Sequence, residues 1–202
     1  MRTQVLFGYG AACCVCLMGL AALIAESGAQ SPPAQIPAKD IMAQLAVDFD
    51  QDGIIDRLVV TRSEDGGDFG DLHVFKGGKE AGTGRETLSR LSVTKEFGFG
   101  IHSIVEKRKG VITIGSSHAQ GRYPWEQTLT LAWRGERLVV LGVTYSSFDR
   151  ISDDEDKAAA QCDLNFSTGR GTGKRNRPVR FSLKPVPVAE WTDEMRPEIC
   201  DG

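Results

Sequence analysis

Apolar and polar residues alternate with a period of two along most of the chain, in short runs broken by glycines and charged turn residues. That period belongs to β-strands with one buried face. It predicts strands over residues 55–61, 71–75, 88–97, 103–108, 111–116, 127–134, 137–145, 161–166 and 179–186. Residues 63–70 (SEDGGDFG) read as a turn and 76–85 as a glycine-rich loop. Lys109-Gly110 and Gly135-Glu136 read as two-residue hairpin turns. Within 127–134, Leu129, Leu131 and Trp133 share one face, while Thr128, Thr130 and Ala132 share the other. Residues 137–145 are apolar on both faces, which suits a central strand. Residues 147–160 and 167–177 read as loops, and 193–195 as a short helix. The expected fold is all-β, an antiparallel meander of about eight to nine strands. To bury a face, such a sheet curls into a barrel, a sandwich or a propeller-like fragment.

The N-terminus breaks this pattern. Arg2 precedes an uncharged run over residues 3–25, with an apolar centre at 11–24 and small residues at Ser27 and Ala29. These are the parts of a secretory signal, and they predict a signal peptide over 1–29. The run is also long enough to serve as an uncleaved anchor. Gly10-Ala11-Ala12-Cys13 lacks the aliphatic residue expected three positions before a lipoprotein cysteine. Residues 30–39 (QSPPAQIPAK) are proline-rich and read as a linker, leaving 40–202 as a single β domain. The expected location is periplasmic or secreted, with no membrane insertion after cleavage.

Export changes the meaning of the cysteines. Cys13, Cys14 and Cys16 lie in the leader, so the remainder keeps Cys162 and Cys200. Two cysteines in an oxidising compartment predict a disulfide that ties the C-terminal tail to a strand. Zinc is not expected, because no Cys-x-x-Cys or paired histidine spacing accompanies them. The composition is that of a globular protein, with 41% hydrophobic and 25% charged residues. A net charge of −3 argues against a nucleic-acid partner.

One segment carries chemistry. Asp48-Phe49-Asp50-Gln51-Asp52-Gly53-Ile54-Ile55-Asp56 places acids at its first, third, fifth and ninth positions, with glycine sixth. Calcium takes six to eight oxygen ligands, and alternating carboxylates on a tight turn can converge on one ion. Gly53 permits the turn, the Ile54 carbonyl can face the ion, and Ile55 is expected to point into the core and pin the loop. Four carboxylates this close repel one another without a cation. An EF-hand would place a glutamate at the twelfth position, where Val59 stands, and would continue as a helix rather than a strand. The metal expected is therefore Ca2+, bound by Asp48, Asp50, Asp52, Ile54 and Asp56 outside a helix–loop–helix.

The stretch VDFDQDGIIDRLVV resembles the loop-then-strand of FG-GAP/VCBS-type repeats. The order of segments is similar to a group of exported, uncharacterised bacterial proteins. They carry one such loop, a glycine-rich middle, a hairpin like LTLAWRGERLVVLGVTYSSFDR and an ending like CDLNFSTGRGTGK…LKPVPVAEW. The resemblance spans most of residues 47–191 and implies the same calcium ligands, but no activity. A closed propeller needs several blades, and this chain has one loop.

Other motifs fall short. Gly169-Arg170-Gly171-Thr172-Gly173-Lys174 lacks the first glycine and the Ser/Thr of a phosphate loop. Gly98-Phe99-Gly100-Ile101-His102-Ser103 lacks the third glycine of a dinucleotide fingerprint. Gly115-Ser116-Ser117-His118 has Ala119 where a nucleophile elbow needs glycine. His73 and His102 stand alone, the 153–156 acidic run lacks a glycine turn, and Tyr123, Trp125 and Trp191 are candidate pocket or core aromatics. The functional expectation is a calcium-stabilised, non-enzymatic β-domain that binds or scaffolds, with an envelope protein or a glycan as partner. The alternatives are an exported hydrolase using Ser117, His118 and nearby acids, and a partner protein that inserts the 170–177 loop.

Overall fold

The computed structural model describes residues 36–64, 67–152 and 159–200. The leader, its cleavage point, the first part of the linker and the 153–156 acidic run lie outside the described residues. Four strands form one antiparallel meander in chain order: β1 (Ile41–Val47), β2 (Asp56–Arg62), β3 (Phe69–Lys79) and β4 (Glu86–Phe99). A second meander contains β5 (Ile101–Arg108), β6 (Val111–His118), β7 (Trp125–Arg134), β8 (Arg137–Phe148), β9 (Ala159–Asn165), β10 (Arg170–Thr172) and β11 (Pro178–Arg180). The short β12 (Val186–Pro187) pairs with β8 through Val140 and Val139 and makes this sheet eight-stranded. The sheets do not close into a barrel, so of the three forms expected the sandwich is the one that fits.

The period-two pattern supplies the core. Leu58 and Val60 of β2 and Leu72 and Val74 of β3 alternate inward. They share one buried cluster with Ile112 and Ile114 of β6, Leu129 and Leu131 of β7, and Val140 and Val143 of β8. The chain passes between sheets at one residue, Gly100, whose φ is 61°. A Cβ there would lie 2.1 Å from the Ser117 carbonyl oxygen, so the crossing requires glycine. Gly135 and Glu136 both have positive φ, which matches the strand twist in the β7–β8 hairpin. β8 lies inside its sheet, as its two apolar faces predict. Its register against β7 slips between Thr130 and Leu131, and the Leu141 carbonyl there accepts the Phe166 N–H at 2.7 Å.

The tail is short of regular structure but closely held. Cys162 of β9 is bonded to Cys200, 38 residues on. Trp191 is buried and stacks with Phe166 at 5.9 Å between ring centroids. The buried Gln127 amide donates to Asp193 at 2.8 Å and accepts from Arg196 at 3.1 Å. The Arg196 guanidinium also lies 3.8 Å from the centre of the Tyr145 ring.

Four features depart from the pattern reading. β1 is an extra strand, and residues 76–79 prolong β3 instead of opening a loop. Residues 179–186 divide into β11 and β12, because only their ends find strand partners. The supposed 167–177 loop contains β10, which pairs with both β9 and β11 and so is part of the sheet, not a projecting insert.

Candidate metal centre

The loop joining β1 to β2 contains Asp48, Asp50 and Asp52, and Asp56 opens β2. Asp56 is fully buried. One of its carboxylate oxygens accepts the Phe49 N–H at 2.9 Å and the other accepts the Gly77 N–H at 2.8 Å. It therefore fastens the loop both to its own start and to β3. Gly77 makes this approach possible, since a Cβ there would lie 2.5 Å from the Ile55 carbonyl oxygen. Burial pushes the Asp56 carboxyl above its ordinary pKa, the two backbone donors pull it back, and the Asp50 and Asp52 charges raise it further.

Inside the loop each acid gives one oxygen to the backbone. Asp48 accepts from the Gly53 N–H at 3.1 Å, Asp50 from Asp52 at 3.2 Å, and Asp52 from Ile54 at 2.8 Å. Gln51 and Gly53 take the left-handed conformation, with φ of 65° and 87°, and curl the chain around the acids. Asp48, Asp50 and Asp56 each bring one oxygen into a group whose members lie within 4.8 Å of one another. Oxygens on opposite sides of one calcium ion are about 4.6–5.2 Å apart, so the group fits a single shared ion. Asp48 Oδ2 takes the Gly53 N–H, and Asp48 Oδ1 is sealed from solvent with no hydrogen-bond partner among the described residues. A buried carboxylate oxygen without a donor is costly, and a cation would satisfy it.

Asp52 is not in that group. Lys76, on β3, contacts Asp50 Oδ2 and comes within 3.5 Å of Asp52 Oδ2. The hydrogen bond to Asp50 holds the lysine pKa above its ordinary value. The ammonium also lies 5.4 Å from the centre of the Trp133 ring. The backbone N–H of Ile54 binds Asp52, and its side chain packs toward Gly77.

The core anchor of the loop is not Ile55, which is 55% exposed. Asp56 turns inward to meet the two N–H groups, and strand alternation sends its neighbour outward. Phe49 does the pinning: it is 1% exposed, and its ring packs, tilted by 33°, against Trp133 of β7 with the ring centroids 5.0 Å apart. The loop is thus held by both sheets. Phe49, Lys76 and Gly77 were not signalled by the acid spacing. Phe49 sits between two aspartates as any loop residue could, and Lys76 is 26 residues from Asp50.

Among the described residues, no hydrogen bond joins the Ser117 and His118 side chains. Ser117 and His118 are adjacent on β6 and face opposite ways. His118 packs edge-on to Phe99 at 5.2 Å, whereas the Ser117 hydroxyl is 3.5 Å from His102, a separation too long for a strong hydrogen bond. Ser117, His118 and Glu126 border a hollow of about 390 Å³ with Trp125. Trp191 is core and Tyr123 is largely exposed. His73 belongs to the outer face of the four-stranded sheet. It is buried there with Thr61 and Asp71, and its Nε2 is 3.0 Å from Thr61 Oγ1.

The chain matches no family model, no curated protein and no solved structure.

Proposed function

We propose that this protein is an extracytoplasmic β-domain stabilised by calcium, with a binding or scaffolding role rather than catalysis. The observation that carries the proposal is the convergence of Asp48, Asp50 and Asp56 on a space one ion can fill, beside a buried Asp48 oxygen with no donor. Asp52 and the Ile54 carbonyl complete the ligand set implied by the loop sequence. Calcium is the hard cation proposed because its oxygen ligands lie at about 2.3–2.6 Å in adaptable geometry, which suits the spread of the carboxylate oxygens. When bound, the ion supplies charge that offsets the repulsion among the acids. Everything else is done by the chain itself: Asp56 ties the loop to β3, and Phe49 ties it to β7.

Location follows from the signal-like first 29 residues and from the Cys162–Cys200 bridge, which suits an oxidising compartment. The loop sequence and segment order support a likeness to single-loop proteins of the FG-GAP/VCBS type. The partner proposed is an envelope protein or a glycan, the classes of molecule that an exported binding domain meets.

Thermal unfolding of the purified protein tests the reading. Calcium at a hundredfold excess over its dissociation constant adds about 2.7 kcal/mol of stability, so the melting temperature rises with calcium and falls with chelator. Identical melting in both conditions contradicts it.

A further inference from the structure

Among the described residues, the cation paired with the loop acids is Lys76. Lys76 contacts Asp50, an acid of the converging group, and also faces Asp52, the acid left outside it. Its side chain is about one-third exposed, while that of Asp50 is 5% exposed. The ammonium thus reaches in from the solvent side and caps a carboxylate that is otherwise enclosed. Without it, Asp50 would face Asp48 and Asp56 with no counter-charge, an arrangement that low local polarity penalises.

We propose that Lys76 is a tethered counter-cation that calcium must displace, and that it sets the calcium affinity of the loop. The inference rests on the calcium reading given above. One carboxylate cannot hold an ammonium and a divalent ion without repulsion between the two cations. Calcium entering the Asp48–Asp50–Asp56 group therefore drives the ammonium from Asp50. Release of Lys76 also frees Asp52, which the lysine holds to one side, and allows a fourth carboxylate to join the ion. The lysine has a short way to go. Its four-carbon stem is flexible and a third of the side chain already meets water. The loop then has two closed states, one held by its own lysine and one held by calcium. Its affinity is lower than four carboxylates would otherwise give, so it fills only where calcium is abundant. Trp133 reports the exchange, because the ammonium that leaves Asp50 also leaves the neighbourhood of the indole.

The test compares wild type, Lys76→Met and Lys76→Arg by calorimetric titration with calcium chloride. Lys76→Met removes the charge and keeps the length, so calcium affinity rises by about tenfold or more, as expected for loss of one close like charge. Lys76→Arg keeps the charge and stays within about threefold of wild type. Calcium changes the tryptophan fluorescence of wild type, and Trp133→Phe removes that change. In chelator Lys76→Met melts below wild type; if it does not fold there at all, its refolding on calcium addition gives the affinity instead. Calcium binding that is equal or weaker in Lys76→Met overturns the inference while leaving the calcium reading intact. Binding by Lys76→Met but not by wild type upholds the inference and overturns the calcium reading for the native loop. Binding by none of the three overturns both.

Discussion

The Asp56 carboxylate accepts the backbone N–H of Gly77 at 2.8 Å, across 21 residues of chain, and so joins the acidic loop to the adjoining strand of its sheet. This makes Asp56 different from the other acids. It is a structural acceptor first, and its second oxygen serves the Phe49 N–H in the same way.

Asp56→Ala and Asp48→Asn therefore have different effects. The alanine leaves two buried donors unsatisfied and lowers stability by about 2–4 kcal/mol even in chelator. Asp48→Asn keeps an oxygen for the Gly53 N–H, so it melts close to wild type in chelator and loses the calcium-dependent gain. Urea unfolding with and without calcium measures both. Equal behaviour of the two variants contradicts this division of roles.

Phe49→Ala is expected to act at a distance from the metal. The ring is buried against Trp133, and its loss costs about 3–5 kcal/mol. It also frees the loop from the eight-stranded sheet, so calcium affinity falls with stability. Leu substitution, which keeps most of the volume, restores much of both. A Phe49→Ala variant that melts like wild type would show that the loop is held by Asp56 alone.

Much of this was legible in the chain. The alternation in 127–134 and the Gly135-Glu136 turn foretold the β7–β8 hairpin, because both signals are local. The acids were legible for the same reason: their spacing lies within nine residues. Lys76 was not, because nothing near it in sequence records that β3 carries it to Asp50. Ile55 is exposed where apolar alternation predicts burial, because the phase is set by Asp56, a polar residue that is buried for its hydrogen bonds. β10 and β12 are too short to show a period, and only their partners define them.

The Cys162–Cys200 bond closes a loop of 38 residues and holds the last turn of the tail against β9. Chain-entropy reasoning gives it about 3–4 kcal/mol. Cys200→Ser, or the wild type under reductant, should unfold at correspondingly lower urea, with Trp191 exposed earlier than the other tryptophans. No shift of the midpoint on reduction contradicts the pairing.

His73 gives the protein a pH dependence independent of the loop. Burial lowers its pKa, the nearby Arg90 and Lys95 charges lower it further, and Asp71 opposes them. The folded state thus prefers the neutral imidazole. Below the ordinary histidine value of about 6.5 the unfolded chain takes up a proton that the folded chain refuses. This contribution to stability is whole above that value and is lost as the pH falls from there through the lowered folded pKa. His73→Gln, which can still bond Thr61, flattens that part of the profile in urea unfolding between pH 7.5 and 5. An unchanged slope would contradict the assignment.

Direct calorimetric titration of calcium into the purified protein, repeated with Asp48→Asn, bears most closely on the central claim. One ion per chain is expected for wild type, with binding lost or greatly weakened in the variant. Absence of binding heat at millimolar calcium, or binding that Asp48→Asn leaves unchanged, would contradict the account.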